Sequence, residues 1–403
     1  MNYKVANRIC PVCSNSKVEI LYNQQFVVPE GYHLPVSFDV VYCDHCGFVY
    51  SDTTAAQKDY NLYYEALSKY EDESITIGSG GCTRIQDIQR YERITACIKR
   101  YINKQQSVID IGCANGGLLR MLKDSEYENL TGMDLAQRCL DNVNSYGIRT
   151  QKGSIVSEDL SEDKALKEQF DCIILSHIME HICDLKTALK NIFQWLKPNG
   201  YVYIEVPDAS RYVDFYIAPY HYFDCEHINH FDENSLRNLF GENGFKLVFS
   251  ERNSIAMSDT ARYPVVCMVF RKLTDLQIDK KPLSVNSAMR DNIRQYILKS
   301  RKEDSYQVIG RYVQSQEPIV VWGVGSFLQR LLATSKLSEC NIIAFVDSDI
   351  NKQGKKINGV SIIAPAMLKS INAAVLICSV LYTDEILGQI YDMALDIETV
   401  VLK

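Results

Sequence analysis

The sequence predicts an α/β protein with two Rossmann-like units behind a small cysteine-rich module. Residues 106–120 run from a short apolar strand through a glycine turn into a helix, and a second strand–glycine turn–helix follows Pro318. Two Cys-x-x-Cys pairs lie near the N-terminus. A chain of 403 residues is too long for one ordinary domain. The expected organisation is a cysteine module with a tyrosine-rich connection over 1–83, a first α/β domain over 84–271, a helical linker over 272–316 and a second α/β domain over 317–403.

The composition indicates a soluble, cytoplasmic protein. Its hydrophobic fraction of 46% is enough for real cores, yet no apolar run approaches the ~20 residues of a membrane span, and no signal-peptide core is present. Fourteen cysteines in such a protein favour metal ligands and buried thiols over disulfides. The net charge of −7 argues against a nucleic-acid partner, because binding to a phosphate backbone requires basic surface. The oligomeric state stays open.

The first glycine turn carries an acid that narrows the choice of ligand. Asp110 lies near the carboxyl end of the apolar strand, and Gly112 and Gly116 then allow a tight turn with close backbone approach. A carboxylate in a pyrophosphate-binding loop would repel its ligand, whereas it suits a cationic one. Asp-x-Gly-x-x-x-Gly resembles the first motif of class I S-adenosylmethionine (SAM) methyltransferases, in which this loop holds the methionine end of SAM.

The order of elements after this loop supports the same resemblance. A second apolar strand ends in Asp134, at the position where an acid binds the ribose hydroxyls. Residues 153–155 suit an adenine-side turn, and strands over 170–176 and 201–206 continue the repeated strand–helix pattern. The alternative is another doubly wound fold with the same turn. The predicted SAM-binding residues are Asp110, Gly112, Gly116, Asp134, Leu135, Ser154 and Ser176.

The N-terminal cysteines predict a metal site. Cys10 and Cys13 form one Cys-x-x-Cys pair and Cys43 and Cys46 the other, separated by a strand-like insertion. Four thiolates complete a closed tetrahedral zinc site, which is structural because no position remains for water or substrate. The alternative is four unligated cysteines. Since the module has no cluster of Lys and Arg, we interpret it as a scaffold or a lid over the substrate.

A tyrosine-rich, helix-like stretch follows the cysteines. It contains Tyr60, Tyr63, Tyr64 and Tyr70 and leads into the glycine-rich loop 78–81. The simpler interpretation is an amphipathic helix that docks on the core. The alternative is that the phenol of Tyr63 or Tyr64 reaches the active site.

Five of the seven histidines fall between residues 177 and 230, which predicts that the catalytic centre lies in this part of the chain. His181 follows a strand at the carboxyl edge of the sheet, where ligands bind in doubly wound folds, and His227 lies after the next strand. Acid–base catalysis needs one imidazole and a carboxylate that orients it, and Glu226 is the hypothetical partner of His227. His181 competes with His227 for the role of base. The alternatives are packing around SAM and a metal held by the Glu180-His181 and Glu226-His227 pairs.

The whole arrangement resembles a known family. Two Cys-x-x-Cys pairs, a SAM domain, the Glu226-His227 segment and a C-terminal Rossmann-like unit look like the sugar C-methyltransferases, over nearly the whole chain. These enzymes act on nucleotide-linked 4-ketosugars in deoxysugar biosynthesis. The resemblance implies that a base takes a proton from the carbon next to the ketone and that this carbon attacks the SAM methyl. It places the general base on His227, with Glu226 beside it and His181 beside the substrate.

The chain also departs from the family pattern. There the catalytic histidine stands in Tyr-His-Glu-His followed by an aromatic residue, whereas here Asp224 takes the tyrosine position and Cys225 that of the first histidine. Tyr222 is near enough in sequence to supply the phenol instead. Three alternatives therefore stay open: a sugar O-methyltransferase of glycan biosynthesis, an RNA methyltransferase, and a non-catalytic SAM- or sugar-binding regulator. The predicted catalytic residues are His227, Glu226, His181 and Tyr222.

The C-terminal third predicts half of a Rossmann fold. Leu328 occupies the third glycine position of Gly-x-Gly-x-x-Gly, which disfavours a dinucleotide. In the resembled family this domain helps to hold the nucleotide sugar, and the glycine turn would offer backbone amides to a phosphate. The alternative is a packing domain without a ligand. The predicted substrate-binding residues are Tyr64, Gly323, Gly325 and Ser326.

Overall fold

The computed structural model of the chain describes residues 2–66, 85–157, 166–257, 261–274, 283–302 and 305–402, and it contains three sheets. We refer to the N-terminal module (up to residue 66), the central domain (85–272) and the C-terminal domain (from residue 305). No helix within the described ranges is long and apolar enough to cross a bilayer. The predicted loop at 78–81 and Tyr70 lie outside the described residues.

The central domain is built on a seven-stranded sheet of order β11-β12-β9-β8-β5-β6-β7. Strand β12 runs antiparallel to both neighbours, and the other pairs are parallel. The chain leaves β5 towards β6 on one side and returns at β8 on the other, which opens a ligand crevice at their carboxyl ends. The elements are α2 Ile85–Ile98, β5 Ser107–Ile111, α3 Gly117–Asp124, β6 Asn129–Asp134, α4 Gln137–Ser145, β7 Arg149–Lys152, β8 Phe170–Ser176, α5 Leu185–Trp195, β9 Leu196–Pro207, β10 Asn229–His230, α6 Glu233–Gly241, β11 Phe245–Ala256 and β12 Arg262–Lys272.

The predicted strands of this domain agree with the structure, because each is a short apolar run between turn residues. Strands β5 and β8 are buried almost throughout, as expected for central parallel strands covered on both faces. Helix α6 begins at a capping box. The Asp232 carboxylate accepts a hydrogen bond from the Ser235 backbone N–H, and the Ser235 hydroxyl oxygen accepts one from the Asp232 backbone N–H. This cap ends the histidine-rich segment at a fixed place.

The N-terminal module forms an antiparallel sheet that the central domain completes. Its own elements are β1 Tyr3–Val5, β2 Lys17–Gln25, β3 Ser37–Tyr42, β4 Val49–Asp52 and α1 Gln57–Ala66. Strand β10 is the fifth strand, with Asn229 opposite Tyr50. The Arg8 guanidinium adds hydrogen bonds to the Ile228 carbonyl at 3.2 Å and the Cys183 carbonyl at 2.9 Å. The module therefore holds both histidine-bearing segments of the central domain in place.

The C-terminal domain is a six-stranded sheet of order β15-β16-β14-β13-β17-β18, parallel except at β15. Helix α7, which the sequence places in a linker, buries Met289, Ile293 and Tyr296 in the same hydrophobic core as the central domain. The elements are α7 Ser287–Ser300, α8 Ser305–Ser315, β13 Ile319–Trp322, α9 Ser326–Thr334, β14 Ile342–Val346, β15 Lys356–Ile357, β16 Val360–Ile363, β17 Ala374–Ile377, α10 Thr383–Asp392 and β18 Thr399–Val401.

Candidate active site

A cavity of about 610 Å³ opens at the carboxyl edge of the central sheet and reaches the C-terminal domain. Its size is typical of small-molecule sites. Most of the residues predicted from the sequence meet in it, although they come from three regions of the chain. The predicted residues that line it are Tyr64, Asp110, Gly112, Asp134, Leu135, Ser154, Ser176, His181, Glu226, His227 and Ser326.

The glycine turn is shaped by its two glycines. Gly112 has a φ of +69°, and a Cβ there would lie 2.0 Å from the Ile178 Cδ1. Gly116 has a φ of +75° and a Cβ there would lie 2.6 Å from the Val143 side chain, so it packs against α4 and precedes α3. Both positions favour glycine because left-handed backbone and close neighbours coincide. Gly112 thus lines the cavity, while Gly116 supports the turn from behind.

Two acids of the predicted SAM-binding set lie at the carboxyl ends of neighbouring strands, Asp110 on β5 and Asp134 on β6. Asp110 is buried beside the cavity, and burial raises its pKa to about 7, with Asp134 adding to the rise and Arg90 opposing it. A bound cation would favour the ionised carboxylate. The Asp134 carboxylate accepts backbone N–H groups from Ala114 and Ala136, each at 2.9 Å, which fixes it at the tip of β6. Both carboxylates are hydrogen-bond acceptors, the type of group that the N–H groups of an ammonium and the hydroxyls of a ribose require.

A network of phenols and a carboxylate surrounds His181. The Tyr63 and Tyr64 hydroxyls donate to the two oxygens of Glu226, both at 2.9 Å. The His181 Nδ1 lies 2.8 Å from the Tyr64 oxygen and 3.0 Å from the Glu226 backbone carbonyl. Of the two tyrosines, Tyr64 contacts the histidine and lines the cavity, which agrees with the alternative interpretation of this stretch, that a phenol reaches the site.

His227 stands next to His181 and has a different environment. The two ring centroids are 4.7 Å apart, nearly perpendicular at 79°. Burial lowers the pKa of His227 to about 4, and His181 adds to the decrease. Its Nδ1 lies 3.3 Å from the Tyr263 hydroxyl, on strand β12. Both Glu226 oxygens bind tyrosines and the His227 Nδ1 lies against Tyr263, so these contacts do not support the hypothesis that Glu226 orients His227, which stays a prediction.

Two buried carboxylates, Glu180 and Glu205, lie next to His177. Glu180 is fully buried, with the His177 Nδ1 at 3.0 Å and the His181 Nε2 at 4.0 Å from its Oε1. Burial and Arg90 lower the pKa of His177, but hydrogen bonds to Glu180 and Glu205 outweigh them and raise it. Negative charge is therefore concentrated under the imidazoles. Glu180, His181 and His227 also present ligand atoms within 4.8 Å of one another, a donor set that can hold a metal.

Besides Gly116, three predicted residues lie away from the cavity. The structure places Tyr222 in a fully buried aromatic cluster, stacked on Tyr212 at 3.8 Å, with its hydroxyl donating to the Phe215 carbonyl. Gly323 packs against the Cys378 carbonyl, since a Cβ at Gly323 would lie 2.7 Å from that oxygen. Gly325 directly precedes α9. None of the three is among the residues that line the described cavity. The sequence predicts that Tyr222 supplies a phenol near His227, whereas in the structure the phenol beside His227 belongs to Tyr263.

The four N-terminal cysteines converge as the spacing predicts. Their sulfurs all lie within 4.8 Å of one another, with Cys10–Cys46 at 3.6 Å and Cys13–Cys43 at 3.5 Å. A tetrahedral zinc with bonds of about 2.3 Å places its sulfurs roughly 3.8 Å apart, so the donor set fits. The Asn15 amide also lies 3.7 Å from the Cys43 sulfur, as a donor to a thiolate would.

Comparison with known proteins identifies the central domain. Residues 85–249 match a family model described as "Methyltransferase domain", and residues 315–401 match one described as "C2185-like, N-terminal". The chain carries a class I SAM-dependent methyltransferase domain. The sequence prediction of that domain is confirmed.

The relatives of this methyltransferase domain cover part of the chain. It is similar to the ubiquinone biosynthesis O-methyltransferases of Rickettsia akari, 27% identical over 124 residues, and Pseudomonas fluorescens strain Pf0-1, 28% over 102 residues. These matches span 30% and 24% of this chain and 47% and 43% of the relatives, so the chain spans less than half the length of the curated relatives it matches.

Solved structures show a similar partial overlap. The 1,6-didemethyltoxoflavin-N1-methyltransferase of Burkholderia thailandensis is 16% identical, with a TM-score of 0.40, over 61% of this chain and 99% of that one. A SAM-dependent methyltransferase of Methanosarcina mazei, also 16% identical, has a TM-score of 0.37 over 44% of this chain and 98% of that one.

Sequence reasoning missed three residues of the site. Arg90 lines the cavity from α2 and donates to the Ser176 hydroxyl and, at 2.9 Å, to Glu205. Glu205 interrupts an otherwise apolar strand, and this is a signal that could have identified it. Tyr263 lies on β12, which reaches the site only because that strand inserts antiparallel beside β9.

Proposed function

We propose that the protein transfers the methyl group of SAM to a nucleotide-linked sugar, at the carbon next to a ketone. A histidine of the His181–His227 pair takes the proton from that carbon, and the enolate carbon attacks the SAM methyl. The observation that carries the proposal is that this imidazole pair, with its tyrosine and carboxylate partners, shares one cavity with the SAM-binding turn. Acid–base groups within reach of a methyl donor are what the reaction requires.

SAM would occupy the crevice at the ends of β5 and β6. Asp110 would meet its cationic methionine end and Asp134 its ribose, while Ser154 lies where the adenine turn is expected. SAM supplies an electrophilic methyl group when bound. The chain itself then has to position the nucleophile, hold the proton and exclude water.

A nucleotide sugar suits the other end of the cavity. Ser326, Leu381 and Tyr382 line it from the C-terminal domain, so a ligand there contacts both domains. Ser326 begins α9, and a helix N-terminus favours a phosphate. Asp224 also lines this cavity, and Arg330 of the same helix, which is 1% exposed and lies 3.4 Å from the Asp224 carboxylate, offsets its negative charge.

The cysteine cluster would hold a structural zinc ion. The support is the fit of the four sulfur distances to tetrahedral coordination. Because strand β10 joins the sheet of this module, zinc would stabilise the segment that carries Glu226 and His227.

O-methylation of a sugar hydroxyl is the second candidate. The curated relatives are ubiquinone biosynthesis O-methyltransferases, and the same histidine pair would deprotonate a hydroxyl as well as a carbon acid. The two candidates differ in whether a carbon-bound proton is removed.

Mass spectrometry of nucleotide sugars incubated with the protein and SAM in deuterated water separates the candidates. The panel contains 4-keto and fully hydroxylated sugars on several nucleotides. We expect a gain of one methyl group on a ketosugar, with deuterium entering next to its carbonyl. A methyl gain on a hydroxylated sugar without exchange would support O-methylation. No methyl gain across the panel, with SAM shown to bind, would contradict a sugar substrate.

A further inference from the structure

The C-terminal domain repeats the strand arrangement of the crevice proposed for SAM. Strand β13 lies between β14 and β17 and is parallel to both, just as β5 lies between β6 and β8. In each sheet the chain leaves the first strand on one side and returns on the other, and such a switch point opens a ligand crevice at the carboxyl ends of the strands. The cavity that begins at the first glycine turn continues to Ser326, after β13, and to Leu381 and Tyr382, after β17. The two crevices therefore open into the same space.

The acid that follows the second strand is held in the same way in both domains. Asp347 directly follows β14, and its two carboxylate oxygens accept the Val324 backbone N–H of the glycine turn at 2.7 Å and the Asp349 backbone N–H at 2.9 Å. The Asp134 carboxylate has the same two kinds of donor, an amide of its own glycine turn and the amide two residues further along the chain. Each carboxylate is thus fixed at the end of its strand and keeps acceptor capacity for a ligand.

The two glycine turns are also closed by equivalent hydrogen bonds. The Gly323 N–H donates to the Val346 carbonyl at 2.9 Å, and the Gly112 N–H donates to the Met133 carbonyl at 2.8 Å. Both glycines have a positive φ, +107° for Gly323 and +69° for Gly112. The turn before α9 is shorter than the turn before α3, so it brings a helix N-terminus close to the strand end. A helix N-terminus in that place favours a phosphate group.

The surroundings of Asp347 suit a ribose. Its side chain is 13% exposed, and the Lys352 Nζ lies 3.3 Å from one carboxylate oxygen and 3.5 Å from the Asp349 carboxylate. Lysine 352 can therefore stay paired with Asp349 when a ligand contacts Asp347. The vicinal hydroxyls of a ribose present two donors to the two oxygens of a carboxylate, whereas a 2′-deoxyribose presents one. An acid held in this way favours a ribonucleoside.

We propose that Asp347 binds the 2′- and 3′-hydroxyls of a ribonucleoside diphosphate in the crevice of the C-terminal domain. The inference deepens the proposed function, on which it rests for the role of this nucleotide as the carrier of the sugar. The diphosphate lies at the N-terminus of α9, beside Ser326, and the attached sugar extends through the cavity towards His181 and His227.

Calorimetric titration of the unsubstituted protein with UDP, CDP, GDP and ADP, each compared with its 2′-deoxy counterpart, tests the inference. The members of each pair differ only in the 2′-hydroxyl. For the nucleotide that binds most tightly, we expect the 2′-deoxy form to bind roughly 10- to 150-fold more weakly, as for the loss of a hydrogen bond to a charged group. Equal affinities within that pair, or no binding of any of the eight nucleotides, would overturn the inference.

Asp347→Asn and Asp349→Asn are the matched variants, because both acids lie in one loop and both contact Lys352. We expect Asp347→Asn to lower the affinity for the ribonucleotide to that of its 2′-deoxy form, with the SAM affinity unchanged as a check on the fold. Asp349→Asn should keep the preference for the ribonucleotide. A preference that persists in Asp347→Asn and disappears in Asp349→Asn would overturn the assignment.

These binding measurements separate the inference from the proposed function. Binding of a ribonucleotide that depends on Asp347, without methyl transfer to any sugar, would refute the proposed function and keep the inference. Methyl transfer that is equally efficient with ribonucleotide and 2′-deoxyribonucleotide carriers would keep the proposed function and overturn the inference. If Asp347→Asn does not fold, the comparison of the paired nucleotides on the unsubstituted protein still decides the question.

Discussion

The affinity for SAM should depend on pH through a single buried carboxyl group. Burial raises the pKa of Asp110 to about 7, and its ionised form is the one that a cation prefers. Because this pKa is raised, the favourable charge is present above pH 7 and is lost as the pH falls. Asp110→Asn keeps the size of the side chain and removes the titration.

The expected size of the effect follows from the fraction of ionised Asp110. With a pKa of about 7, half of the groups are ionised at pH 7 and roughly 3% at pH 5.5, so the SAM affinity should fall by up to about fifteenfold over this range. The ammonium of SAM stays protonated there, since an α-amino group titrates near pH 8. The asparagine variant loses a charge-assisted hydrogen bond worth about 1.5–3 kcal/mol, which is roughly 10- to 150-fold in affinity at pH 7.

Calorimetric titration of the unsubstituted protein and the asparagine variant, at pH 5.5, 6.2 and 7, tests this reasoning. We expect the two affinities to converge at the lowest pH and to separate as the pH rises. S-adenosylhomocysteine, which keeps the ammonium but lacks the sulfonium charge, should show the same pH dependence if Asp110 meets the methionine end. A flat affinity in both proteins across the range would refute the placement of Asp110 beside the cation.

Three further results are expected. Asp134→Ala should weaken SAM binding by roughly 10- to 150-fold, as expected for the loss of a hydrogen bond to a charged group, and unchanged affinity by titration would remove Asp134 from the ribose site. Cys43→Ser should release zinc and lower the unfolding temperature, as elemental analysis and calorimetry would show, whereas Cys340→Ser, a buried cysteine outside the cluster, should retain the metal. Tyr222→Phe should cost about 0.5–1.5 kcal/mol of unfolding free energy, through the lost bond to Phe215, without changing methyl-transfer rates; a loss of activity in a stable protein would return Tyr222 to the site.

Local patterns made the proposed SAM-binding end of the site predictable. Asp110, Gly112 and Asp134 lie at strand ends that are recognisable as apolar runs before turn residues, and parallel pairing brings such ends together. The four cysteines converge for a similar reason, because each pair is closed by its own turn.

The other end of the site depends on pairings that the chain does not show locally. Tyr263 reaches His227 only through the antiparallel insertion of β12, and Glu226 turns from its sequence neighbour to the tyrosines of α1. Tyr222 is drawn into an aromatic cluster with Tyr296 of α7, a helix that the sequence assigned to a linker. Packing between distant segments decided these three outcomes.

The most direct test of the central claim is NMR of the product formed from ¹³C-methyl SAM and a nucleotide-linked 4-ketosugar. C-methylation predicts a labelled methyl carbon bonded to the sugar carbon next to the ketone, together with one equivalent of S-adenosylhomocysteine. A labelled methyl bonded to oxygen would contradict that account and move the assignment to O-methylation, and the absence of any labelled sugar would contradict methyl transfer to this class of substrate.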